Sequence, residues 1–251
     1  MSEDALTLVG VSKHIGGVRI LEDVTVSLRP GQRRALIGPN GAGKTTLLNI
    51  AAGVIRPSGG QVLLAGRDVT RMPAHRRARR GLARTFQVTT LLPALTVAQN
   101  LALAVQATSP VRCDPVRSWR AVGSVWRQVD ELVERGDLAA LRDVPVSELP
   151  YGQQRRLEIV VAVARHCQVV LLDEPGAGLS SPETEELMRL VFGLGEQLAV
   201  MFVEHDVELA MRLATDVTVL HLGRMVTEGT PDQIRSSAVL DDIYLGAGQR
   251  A

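Results

Sequence analysis

The chain has 251 residues, of which 45% are hydrophobic and 22% charged, and its formal net charge is +1. That length suits one large α/β domain or a core with an inserted subdomain, and the near-neutral balance argues against nucleic acid as a partner. Two cysteines, Cys113 and Cys167, show no partner pattern, which argues against a disulfide framework or a zinc site and reads as reduced thiols in a cytoplasmic protein. No apolar run approaches the ~18–20 residues that span a bilayer. MSEDALTLVG lacks the basic start and apolar stretch of a secretion signal. Work at a membrane would therefore require a partner that holds the chain there.

In chain order, Leu6–Val11 and Val24–Leu28 read as strands, with a turn at Gly16-Gly17 between them. After Pro30-Gly31, Ala35–Ile37 reads as a short buried strand that breaks into GPNGAGKT. A helix is expected from Thr46 to Ala52, closed by Gly53, then a loop at RPSGG and a strand at Gln61–Ala65. These elements imply a small antiparallel sheet beside a nucleotide core. Residues 71–84, RMPAHRRARRGLAR, are basic. They lack aromatic residues to stack on bases, so the expectation is a solvated helix after Pro73 that ends at Gly81 rather than a nucleic-acid contact.

Thr96–Ala107 is expected to be a Thr-capped helix, residues 108–118 a loop, and Val122–Glu134 a helix with Val122, Val125, Trp126, Val129, Leu132 and Val133 on one broad face. Trp126 reads as core rather than ligand. This helical middle reads as an inserted subdomain. Beyond it, helices are expected at Gln153–Ala164, Pro182–Leu194 and Val207–Ala214, and strands at Val169–Leu172, Ala199–Val203 and Val217–His221. Gly223-Arg224 marks a turn, and MVTEGTP closes the sheet.

The strand–GxxxxGK[ST]–helix arrangement is a phosphate-binding loop. The chain holds only two lysines, Lys13 and Lys44, so a chance match to this motif is rare. Gly38, Pro39, Asn40, Gly41, Ala42 and Gly43 form the loop, and Lys44, Thr45 and Thr46 start the helix. Glycines let several N–H groups point inward, and the helix aims its positive end into the same hollow. Lys44 can extend beside the outer phosphates, and the Thr45 hydroxyl can ligate Mg²⁺. VVLLDEP at 169–175 ends an apolar strand in two carboxylates. Asp173 is suited to hold Mg²⁺ and Glu174 to polarise a water aimed at the γ-phosphate.

With these motifs the chain resembles, over essentially its full length, the nucleotide-binding subunit of an ATP-binding-cassette (ABC) transporter. LPYGQQRRLEI at 149–159 resembles the family's signature, usually LSGGQ, and contributes Leu149, Pro150, Tyr151, Gly152 and Gln153. Gln87 in ARTFQ resembles the family's Q-loop, a catalytic and metal position, and His205 in VMFVEHD its switch histidine. The resemblance implies an α/β P-loop NTPase core with an antiparallel β subdomain, at approximately 1–87 and 166–251. It also implies an inserted helical subdomain at approximately 88–165, carrying the signature. Two subunits would pair head to tail, each ATP held between one phosphate loop and the other subunit's signature. The partners implied are a second ABC ATPase subunit, transmembrane permease subunits and, indirectly, a solute-binding protein.

YGQQRRLEI and DEPGAGL are most similar to the ATP-binding subunits of branched-chain amino acid importers, with urea and amide importers sharing the pattern. An exporter subunit of the lipopolysaccharide-transport type, a non-transport ABC protein acting on DNA or ribosomes, and a binding-only regulatory subunit are the alternatives. Three positions depart from the family pattern. Ile15 stands where an aromatic residue usually stacks on adenine, Pro150 replaces the signature Ser, and Ser180 replaces the D-loop Asp. Losing the stacked ring predicts weaker nucleotide affinity.

Overall fold

The computed structural model describes residues 4–84, 91–106, 123–164, 167–237, 240 and 243. Strands β1 (Leu6–Ile15) and β2 (Val18–Leu28) form an antiparallel hairpin running from Leu6↔Leu28 to Ile15↔Val18. With β4 (Gly59–Leu64) and β5 (Arg67–Asp68) they make a four-stranded sheet in the order β2-β1-β4-β5. A second sheet has the order β10-β9-β3-β8-β7-β6. Its strands are β3 (Arg33–Ile37), β6 (Leu82–Arg84), β7 (Val169–Asp173), β8 (Ala199–Val203), β9 (Asp216–His221) and β10 (Arg224–Gly229). All neighbours pair in parallel except β10, which lies antiparallel on β9.

Every residue of β7 and β8 is buried, as expected of parallel strands covered on both faces. The period of two divides β7 between two cores. Val169 and Leu171 join a cluster with Leu6, Leu28, Val62 and the phosphate-loop helix α1 (Lys44–Ala52) through Leu47 and Leu48. Val170 and Leu172 face the other way, onto Met188 and Val191 of α6 (Ser181–Gly193) and Leu209 and Ala210 of α7 (Val207–Leu213). Each such side chain contributes roughly 1.5–3 kcal/mol by leaving water. A third cluster joins α3 (Val97–Gln106), α4 (Gly123–Arg135) and α5 (Tyr151–Val163) through Leu101, Val105, Val129, Val133, Leu157 and Val160. Trp126 packs against it, with the Arg142 guanidinium 5.6 Å from the ring centroid.

Thr96 caps α3, accepting from the Gln99 N–H at 3.2 Å while the Gln99 side chain accepts from the Thr96 N–H at 3.0 Å. A short helix, α8 (Pro231–Arg235), lies beyond the expected elements and is capped in the same way by Thr230 and Gln233. Burial beside β7 pushes the Cys167 thiol up to about 11 and holds it neutral. Cys113 lies outside the described residues.

The basic run departs from expectation twice. Its helix is short, α2 (Ala74–Ala78), and Leu82–Arg84 is the edge strand β6, paired in parallel with Val169–Leu171. Nor is the helix wholly solvated, because Arg77 is 0% exposed. The Arg77 guanidinium donates to the carbonyls of Ile50 (2.8 Å), Ala51 (2.7 Å), Met72 (2.9 Å) and Thr70 (3.1 Å). Two of these close the C-terminal end of α1, where carbonyls lack partners and the helix dipole is negative. Burial pushes the guanidinium down to about 10, which leaves it cationic at neutral pH. The far end of α1 is thereby anchored, and its near end follows the GPNGAGKT loop.

Candidate active site

The loop from β3 into α1 is built on close backbone approach. A Cβ at Gly38 would lie 2.0 Å from the Leu220 carbonyl oxygen, and one at Gly43 would lie 2.6 Å from a Leu21 methyl. Gly43 also takes a φ of 100° at the N-cap of α1, a conformation that side chains disfavour. The turn between β9 and β10 backs the loop, with the Gly223 N–H donating to the Ala42 carbonyl at 3.2 Å. Ala42 and Lys44 are buried, whereas Asn40, Gly41 and Thr45 are exposed and Pro39 and Thr46 half-buried.

The Lys44 ammonium donates to the carbonyls of Gly38 (2.5 Å) and Pro39 (3.0 Å). Burial lowers its pKa, and the charges of Glu174 and Asp173 oppose that shift. It is a cation curled onto the loop and free of a direct carboxylate bond among the described residues. The Thr45 hydroxyl donates to Asp173 Oδ1 at 3.3 Å. The other oxygen, Oδ2, accepts from Arg84 Nη2 at 3.1 Å, and Arg84 Nη1 donates to the Asn49 side chain. Burial lowers the Arg84 pKa, and the Asp173 carboxylate holds it back up. Arg84 was not anticipated. Its only signal is its place at the end of β6, three residues before Gln87. Gln87 itself lies outside the described residues.

Glu174 follows Asp173 with a φ of 52°, a left-handed conformation that a carboxylate residue adopts at a cost. Its N–H donates to the Val203 carbonyl at 3.0 Å, and Oε1 lies 2.8 Å from His205 Nε2. Adjacent parallel strands, β7 and β8, therefore deliver the carboxylate and the imidazole side by side just beyond their C-terminal ends. Glu204 is a second unanticipated residue. Its buried carboxylate accepts from the Gly176 N–H at 2.9 Å, and burial raises its pKa while the Gly176 and His205 N–H groups oppose the rise. An acidic residue closing an apolar strand directly before His205 is the signal that marks it.

Outside this buried half, the expected residues are more open. Ile15 and Val18 pair at the tip of the β1–β2 hairpin and are 56% and 61% exposed. Pro150 caps α5, whose first N–H groups have no partner within the helix. Leu149 turns into the third cluster, and its carbonyl accepts from the Gln154 side chain at 2.9 Å, so it is a packing residue. Gln153 Oε1 is buried without a hydrogen-bond partner among the described residues. Ser180 donates its hydroxyl to Glu183 at 2.6 Å as the cap of α6, which commits it within its own chain.

The donor set fits a magnesium nucleotide. Thr45 and Asp173 bring two hard oxygens together, and no cluster of three His, Cys, Asp or Glu residues suited to a metal occurs among the described residues. Magnesium is held in this way, by one or two protein oxygens plus substrate phosphates. The sequence pattern described as "ABC transporter" matches residues 21–177. The chain belongs to the ABC transporter family. It is 34% identical to LivG of Escherichia coli K12, a high-affinity branched-chain amino acid transport ATP-binding protein, with 98% of this chain and 99% of that one covered. It is 35% identical over 228 residues to LptB of Acidithiobacillus ferridurans, a lipopolysaccharide export system ATP-binding protein, with 90% of each covered. The solved ADP conformation of MJ1267, an ATP-binding cassette of an ABC transporter, superposes with a TM-score of 0.84 at 25% identity, covering 97% of this chain and 99% of that one. Among the described residues no helix is long and apolar enough to cross a membrane.

Proposed function

We propose that this ABC cassette hydrolyses ATP with Mg²⁺ to power an importer of branched-chain amino acids or related small polar solutes. It would be held by permease subunits on the inner face of the cell membrane. The close approach of Glu174 and His205, 2.8 Å apart beside the phosphate loop, carries the hydrolytic reading. Loop N–H groups and Lys44 would bind the β- and γ-phosphates, with Lys44 exchanging loop carbonyls for phosphate oxygens. Thr45 and Asp173, with Gln87, would hold Mg²⁺, which supplies charge neutralisation when bound. Glu174 would accept a proton from water as its oxygen attacks the γ-phosphorus and the bond to ADP breaks. His205 would keep the Glu174 carboxylate aimed.

The exposed periphery supports a second half of the site from another copy or a paralogue, whose α5 start would meet the γ-phosphate. The near-complete match to LivG supports the import reading over that of LptB, which covers less of the chain. The test is ATP-driven uptake by the chain assembled with its permease and binding protein. Uptake of leucine, isoleucine or valine supports the reading. A complex that hydrolyses ATP and moves none of them sinks the cargo and leaves the ATPase standing.

A further inference from the structure

We infer that Tyr151 is a strut tying the start of the signature helix to the segment after Glu174, so that each chain links the two ATP sites of a dimer. This rests on the head-to-tail pairing proposed above. Tyr151 is the first residue of α5 and is 50% exposed, yet its hydroxyl is engaged within its own chain, donating to the Ala177 carbonyl at 3.0 Å. The ring closes on Gly178. A Cβ there would lie 3.0 Å from Cε1 and 3.4 Å from Cζ and the hydroxyl oxygen, and Gly178 has a φ of 83°. The next residue, Gly152, faces a Leu179 methyl 3.7 Å from where its Cβ would be. One turn along α5, the Arg155 guanidinium sits 5.6 Å from the Tyr151 ring centroid and is itself bonded to Glu158 at 2.8 Å. The ring thus meets both Gly178 and Arg155 of its own chain.

The segment it grips is short and internally tied. The Ala177 N–H donates to the Glu174 carbonyl at 3.0 Å and the Leu179 N–H to the Gly176 carbonyl at 2.9 Å. Gly176 is fixed to Glu204, and Ser180 to Glu183. Displacement of the α5 start therefore reaches Ala177, three residues from the carboxylate of the chain's own site. The α5 start would meet ATP held by the partner. A tyrosine transmits this well, since it brings large contact area on only two rotatable angles. Tyr151 is then a positioning residue, and the binding role that the signature resemblance implies passes to the α5 N–H groups.

Three variants separate the parts of this linkage. Tyr151→Phe removes the hydrogen bond, Tyr151→Ala removes bond and ring contact, and Gly178→Ala drives a methyl into the ring. In the chain without nucleotide, amide exchange at residues 176–180 should rise roughly five-fold in Tyr151→Phe, about the effect of one lost hydrogen bond, and more in Tyr151→Ala. The Hill coefficient for ATP hydrolysis, at most about 2 for two sites, should fall toward 1 in the same order, with Gly178→Ala following. Unchanged exchange in Tyr151→Ala overturns the strut. Raised exchange with an unchanged Hill coefficient overturns the linkage. Absence of any ATP-dependent dimer of Glu174→Gln, both alone and mixed with its paralogue, overturns the pairing itself, and the linkage with it, whereas normal pairing with reduced cooperativity in the variants supports both.

Discussion

The phosphate half of the site and its periphery are built on different principles. Lys44 opens α1, Asp173 and Glu174 lie at the end of the buried strand β7, and each meets a partner within the chain. Ile15 and Pro150 lie exposed on a hairpin tip and at a helix start, and Gly152 follows half-buried in the first turn of that helix. The first region is preorganised by folding. The second would gain its function when a partner chain docks against it. Chemistry should therefore be sensitive to single atoms in the core, and affinity should be tunable at the rim.

Substitutions can break that contrast. Glu174→Gln should lower turnover by about 10²–10³-fold, measured as phosphate release, because it removes the base and keeps the shape. Normal turnover would remove Glu174 from the chemistry. Arg77→Ala should destabilise the fold by about 3 kcal/mol, since it removes four guanidinium hydrogen bonds, to the carbonyls of Ile50, Ala51, Met72 and Thr70. Thermal unfolding should then fall by roughly 10 °C, and an unchanged midpoint would show that α1 needs no anchor. Lys44→Ala should weaken ATP binding by roughly ten-fold or more in equilibrium titration. The smallest effect belongs to the rim. Ile15→Tyr should tighten ATP binding by about two- to ten-fold through restored stacking, and equal affinity would sink the idea that Ile15 costs the chain anything.

The two regions also differ in how legibly the sequence encodes them. Continuous apolar runs such as Val169–Leu172, glycines at 38, 41 and 43, and the two carboxylates of VVLLDEP carry their structure in local pattern. β3, α1, β7, β8 and the pairing of loop with Asp173 follow from it. Arg77 and Arg84 were hidden because a run of arginines looks solvated. Only the fold brings α1 carbonyls to one and Asp173 to the other. The three-residue β6 is too short to show a period, and only its pairing with β7 makes it a strand. Leu149 sits inside a recognisable motif and still faces the helical core, because a motif names a position and packing decides where the side chain points. The Tyr151 clasp needs α5 and the segment after Glu174 side by side, a juxtaposition of residues 26 apart that no window of sequence displays.

The central claim is that this chain carries half of each site and that ATP joins two halves. Light scattering of Glu174→Gln with saturating ATP and Mg²⁺ tests it most directly. A chain that carries half of each site should form a species of about twice its own mass, which reverts to one chain when ATP is replaced by ADP. A variant that binds ATP and stays at the mass of one chain, both alone and mixed with its paralogue, would mean that the site is not shared between two chains.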